Sequence, residues 1–138
     1  MMKIAFGMKK IALLALSLMC LCCGFGLRAQ SPDAFTPIGK YIQAGDYENL
    51  SVWFATNLEV SIFGESNTCS RNQARLIMKN FFEEYTPKSF AVIHKSSQAT
   101  MKYALGELTA GGEVFRILLY VDIIDGKSYV EQIVIDRR

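Results

Sequence analysis

The sequence predicts an α+β domain, with helices in the first half and antiparallel strands in the second, packed as layers around one core. Three observations carry this. An apolar stripe at helical spacing runs from Ala74 to Tyr85. Apolar and polar residues alternate through much of the chain beyond Ser89. Two glycine-bearing pairs, Gly111-Gly112 and Asp125-Gly126, punctuate that alternation where hairpins would turn.

Each element follows in order. Thr36-Pro37 reads as a helix start, with Phe35, Ile38 and Ile42 on one face and Gly45 as the stop. Asp46 caps a second short helix that carries Tyr47, Leu50, Trp53 and Phe54. Leu58, Val60 and Ile62 then alternate as a short strand, closed by the turn-rich Gly64-Glu65-Ser66-Asn67. Ser70 and Gln73 have the spacing of a capping box, in which each side chain satisfies the other residue's backbone N–H. Ala74, Ile77, Met78, Phe81, Phe82 and Tyr85 follow on one helical face, and Thr86-Pro87 ends the helix. Strands are expected over 89–95, 100–109, 113–123 and 128–136. In the third of these, Phe115, Ile117, Leu119 and Val121 form a wholly apolar face, while Val114, Arg116, Leu118, Tyr120 and Asp122 share the other. In the second, Met101, Tyr103 and Leu105 alternate with Lys102, Ala104 and Gly106. Two long hairpins in series give an antiparallel meander, which twist would curl around the long helix.

The chain has 138 residues, 51% of them hydrophobic and 20% charged, which is a folding composition of single-domain size. Its net charge of +2 is unevenly spread. Lys3, Lys9, Lys10 and Arg28 stand in a stretch without acids, and the remainder is slightly acidic. That excludes a basic nucleic-acid binder, and a single histidine excludes a His-rich metal centre. Lys9-Lys10 followed by an apolar run from Ile11 to Leu27 and then Arg28-Ala29-Gln30 reads as a secretory signal over 1–30, cleaved after Ala29 or Gln30. As a helix the run would span about 25 Å, short of a ~30 Å bilayer core, so an uncleaved anchor is the lesser reading. Cys20, Cys22 and Cys23 lie inside it without the small residues that precede a lipidated cysteine. Residues 31–138 keep only Cys69, so an exported domain would stand without an internal disulfide.

This order of elements resembles the NTF2-like, cystatin-like cone. The string Gln73-Ala74, Phe81-Phe82, Pro87, Phe90, His94, Tyr103 and Gly106 before the glycine hairpin is similar to a family of small exported bacterial proteins of unknown function with that fold. The resemblance covers roughly 33–136 and rests on structural positions. It implies N-terminal helices packed on a curved antiparallel sheet and one NTF2-like domain over 31–138. The fold hosts isomerases, dehydratases and binding modules alike, so it does not choose a chemistry.

Candidate residues fall into three sets. A pocket between the sheet and the helices would be lined by Trp53, Phe54, Ile77, Phe81, Phe90, His94, Tyr103, Phe115 and Ile117. His94, the only imidazole, could act as a general base or orient a ligand. Ketosteroid-isomerase-like members of the fold, which the resemblance brings in, suggest Asp122 as the acid with Tyr103 and Tyr120 as donors. The acid–base candidates are therefore His94 with Tyr103 or Asp122. A free sheet face bearing Val114, Arg116, Leu118 and Tyr120 would suit a homodimer. Cys69 near a helix start could be paired in thought with His94 as nucleophile and base, though nothing in the spacing brings them together. Adjacent Glu83 and Glu84 point about 100° apart on a helix, so they do not share a metal. No phosphate loop, zinc spacing or nucleotide fingerprint appears. The reading is an exported, periplasmic or extracellular-facing, non-enzymatic domain without a cofactor or metal, binding a small apolar ligand or a protein partner, with no nucleic acid and with the membrane met only through the leader or, as the lesser option, a lipid anchor. The alternatives are a cofactor-free lyase or isomerase using His94 with Tyr103 or Asp122, and a structural homodimer without a ligand.

Overall fold

The computed structural model of the protein describes residues 33–98 and 101–138. The expected signal segment at 1–30 and its three cysteines lie outside the described residues.

Helix α1, Phe35–Ala44, buries Phe35, Ile38 and Ile42, the face its spacing predicts. Its start differs from expectation, because Ala34 is the N-cap and Asp33 rather than Thr36 supplies the side-chain acceptor at this end. Asp33 Oδ1 accepts from the Phe35 N–H at 3.0 Å and Oδ2 accepts from the Thr36 hydroxyl at 3.2 Å. The Lys95 ammonium also donates to Oδ2, at 2.5 Å. That bond is the main reason the Asp33 carboxyl titrates below its ordinary value, against the opposing pull of partial burial. Gly45 ends α1 in the left-handed region at φ 67°. Helix α2, Tyr47–Val52, is capped by the Asp46 carboxylate, which accepts from Asn49 N–H at 3.2 Å. Trp53 closes it, and Phe54 opens the first strand rather than riding on the helix.

Strand β1 is Phe54–Ile62 and β2 is Glu65–Ser70. The expected turn-rich loop is therefore a tight Phe63-Gly64 turn and a second strand. Both turn residues have positive φ, 53° and 85°, the backbone that joins two adjacent antiparallel strands. Ser70 ends β2 and caps helix α3, Arg71–Glu84, with both halves of the capping box formed. Ala74, Met78, Phe81 and Phe82 are buried on α3 as the stripe predicts. Strands β3, Pro87–Gln98, β4, Met101–Ala110, β5, Glu113–Ile124, and β6, Lys127–Arg137, complete the chain. Gly111-Gly112 and Asp125-Gly126 make the two expected turns, all four residues at positive φ.

The six strands lie in the order β2-β1-β6-β5-β4-β3 in one curved, unclosed sheet. The expected antiparallel sheet is corrected to a mixed one, since β1 runs parallel to β6 while every other neighbouring pair is antiparallel. Local alternation describes each strand's faces and leaves the long-range choice of neighbour open, which is why this pair went unforeseen. The helices cover one face. Helix α1 packs on β3, and α3 on α2, β1 and β2. Phe54, Leu58, Val60, Leu108, Phe115, Ile117, Leu119, Ile133 and Ile135 fill the space between the layers, each no more than 2% exposed.

On β4 the inward residues are Ala104, Gly106, Leu108 and Ala110. The small ones make room for Phe90 from β3, whose ring lies between Gly39 of α1 and Gly106. Met101, Tyr103 and Leu105 therefore face away from the helices. On β5 the inward face is Phe115, Ile117, Leu119 and Val121, all buried.

Candidate functional site

The expected pocket set is divided by the sheet. Phe54, Phe115 and Ile117 are fully buried and serve as core. Trp53 and Phe90 pack against them half-buried. His94 and Tyr103 stand on the opposite surface, because a register shift between Val92 and His94 turns His94 outward beside Leu105. Ile77 and Phe81 come together at an opening.

That opening is a groove of about 440 Å³ between α3 and the β1–β2 hairpin. Val60, Ile62 and Phe63 from β1 and its turn, with Ile77, Phe81 and Tyr85 from α3 and its end, supply apolar lining. Glu65 and Asn67 from β2 and Asn80 and Glu84 from α3 supply polar lining. Its aromatic end is tightly built. The Phe81 ring centroid lies 5.2 Å from Tyr85 and 6.5 Å from Phe63, and Phe115 backs all three at 4.8–5.9 Å. Arg137 lays its guanidinium 4.0 Å from the Phe63 centroid while donating to Glu113 and to the Tyr85 hydroxyl. Glu84 enters the groove while its neighbour Glu83 does not, as their helical angle dictates.

A second opening, lined by Asn67, Thr68, Cys69, Gln73, Leu76 and Ile77, adjoins the first and shares Asn67 and Ile77 with it. Cys69 points inward opposite Leu58, and burial pushes its thiol pKa up. It belongs to β2 and His94 to β3, the two outer strands of the sheet, so they form no nucleophile–base pair.

The surface away from the helices collects the remaining candidates. The His94 ring lies 5.8 Å from Tyr103, with Nε2 and the Tyr103 hydroxyl 3.3 Å apart, and Tyr103 lies 6.0 Å from Tyr120. Leu105, Leu118 and Val134 form a cross-strand row beside them, and Arg116 sits between Glu107 and Asp136 in the next row. Val114 faces Thr109, and Asp122 faces Met101 and Tyr129. Glu131 occupies the bulge between β5 and β6. Burial, and then the neighbouring Asp122 carboxylate, raise its pKa above the ordinary value. His94 is exposed, and Asp122 is held by its own strand, accepting from the Ile123 N–H at 2.9 Å. The acid–base set thus sits on an open wall, without the enclosure that strengthens such groups.

Sequence reasoning missed Phe63, Glu65, Asn67, Asn80 and Tyr85 as groove residues. A visible trace existed on α3, where Gln73, Leu76, Ile77, Asn80, Phe81 and Glu84 recur at helical spacing beside the core stripe. Among the described residues, no three His, Cys, Asp or Glu side chains are grouped to hold a metal ion, and no helix is long and apolar enough to cross a membrane.

Helices laid over one face of a curved, unclosed mixed sheet place the chain among NTF2-like α+β cones. The similarity to solved structures agrees. A protein from Bacteroides uniformis matches with a TM-score of 0.74 at 20% identity, over 77% of this chain and 98% of its own. One from Bacteroides ovatus matches with a TM-score of 0.74 at 20% identity, over 80% and 98%. Both are described as DUF4783 family proteins. An NTF-2 like protein of unknown function from Silicibacter pomeroyi matches with a TM-score of 0.59 at 20% identity, over 76% and 93%. Residues 35–136 match the family described as Domain of unknown function (DUF4783), and the chain belongs to that family. None of the curated proteins matches it in sequence.

Proposed function

We propose that this chain is an exported, non-enzymatic binding domain whose recognition element is the groove between α3 and the β1–β2 hairpin. The observation that carries this is the lining, an aromatic end of Phe63, Phe81 and Tyr85 with carboxylates and amides along the rims. An apolar seat with a few polar groups to orient the occupant is the chemistry of a binding site. The core beneath is filled by Phe54, Phe115 and Ile117, so the occupant lies in the groove rather than inside the cone. Export rests on the leader read at 1–30.

The full chain, produced with its leader in a bacterial host, is expected to be recovered outside the cytoplasm with a mature terminus just beyond Ala29 or Gln30. It is expected to bind the neutral apolar dye Nile red with a blue-shifted emission. Ile77→Asp, which places a charge where the two openings meet, should weaken the dye at least tenfold while the far-ultraviolet circular dichroism stays unchanged. Undiminished dye binding by this variant would place the site elsewhere.

A second reading concerns assembly, and the row of Leu105, Leu118 and Val134 beside the Tyr103–Tyr120 pair favours it. These half-exposed residues form an apolar strip flanked by both signs of charge, which two copies related by a twofold axis can share. Sedimentation should then show a dimer that Leu118→Lys converts to a folded monomer. A wild-type monomer at high concentration sinks this reading and leaves the groove untouched.

A further inference from the structure

We infer that the occupant of the groove is an extended, basic polypeptide segment that adds a strand to the free edge of β2. The inference rests on the groove being the binding element and goes on to name the class of its ligand.

The two outer strands of the sheet are treated differently. Strand β3 begins at a proline, carries Lys88 and Lys95, breaks register between Val92 and His94, and has α1 packed on it. Those are the devices by which proteins close an edge to further pairing. Strand β2 has α3 beside it but none of the other devices. Its six residues contain no lysine and no proline, its register with β1 is unbroken, and among the described residues β1 is its only strand partner. Its backbone groups on the other side are a template for one more strand.

Length matches as well. The two adjoining openings run beside α3 from Gln73 to Tyr85. That distance is about 18 Å at 1.5 Å per residue. An extended segment of five or six residues covers roughly the same length at about 3.3 Å each, as does β2 itself. A compact small molecule would occupy one end.

Charge selects the segment. The side chains lining both openings include Glu65 and Glu84 and no lysine or arginine. Apolar side chains on one side of the incoming strand would meet Ile77 and Phe81, and basic ones would reach the two carboxylates. Arg137 on Phe63 already shows a cation seated on the aromatic end.

The test uses the full chain and three synthetic probes, an eight-residue peptide alternating lysine with leucine, its glutamate–leucine counterpart, and the lysine peptide N-methylated at every other residue. The lysine peptide should displace Nile red and protect β2 amides from hydrogen exchange. Its affinity should fall about fivefold in the Glu65→Gln/Glu84→Gln variant, as expected for two exposed ion pairs. The glutamate peptide and the N-methylated peptide should fail to bind. Binding of Nile red but of no peptide overturns the peptide assignment and leaves the groove reading intact. Equal binding of the N-methylated peptide overturns strand addition, and equal binding of the glutamate peptide overturns the charge selection. Failure of both dye and peptides removes the groove reading as well.

Discussion

Phe115→Ala is expected to lower the unfolding free energy by about 3–5 kcal/mol, read as a fall in denaturant midpoint without a change in slope. The residue is fully buried and its ring meets Tyr85 at 4.8 Å, Phe81 at 5.4 Å and Phe63 at 5.9 Å. Truncation removes the transfer free energy of the ring and leaves a void among aromatic neighbours that close only partly. A domain of this size has a total stability of about 5–15 kcal/mol, so the variant would sit near the edge of folding. Phe115→Leu keeps much of the volume and should cost about 1 kcal/mol. Equal effects of the two substitutions would show that the ring is not the keystone of the cluster. Because Phe115 backs Phe81 and Tyr85 from behind, the alanine variant should also weaken Nile red in the groove without touching its lining.

The second large effect is expected at Gly106. A Cβ there would lie 2.3 Å from Cζ and 2.5 Å from Cε1 of Phe90, and 3.2 Å from the Ala91 carbonyl oxygen. The Phe90 ring has little room to retreat, because a Cβ added at Gly39 would find it 3.3 Å away on the α1 side. Gly106→Ala should therefore destabilise by about 1–3 kcal/mol through overpacking. Backbone freedom is not the reason, since Gly106 does not have the positive φ of the turn glycines. A double-mutant cycle separates the causes. In a Phe90→Leu background the alanine should cost much less, and an unchanged cost would refute the steric account.

Much of this architecture is legible in the residues. The Ser70–Gln73 capping box, the two glycine turns and the apolar face of β5 are local codes, and local chemistry decides them. Strand β2 was hidden because Glu65 to Ser70 carries almost no apolar alternation, as befits a strand paired on one side. Strand β4 misled for a different reason. Met101, Tyr103 and Leu105 are bulky, yet they point outward while Ala104, Gly106, Leu108 and Ala110 point inward, because beside Gly106 the core already holds Phe90. Burial there follows the volume left by neighbours rather than hydrophobicity alone. The groove was half legible. Ile77 and Phe81 stand on a readable stripe, whereas Phe63 reaches the site only because a bulky residue adopts a left-handed turn conformation that sequence rules assign to Asn or Gly.

The parallel neighbour of β1 is β6, so residues 127–137 lie in the interior of the sheet although they follow every other described strand in the chain. During synthesis the opening hairpin can form by itself, but it cannot be stitched to β5, β4 and β3 until β6 has left the ribosome. The N-terminal half is thereby kept from settling early into a finished domain.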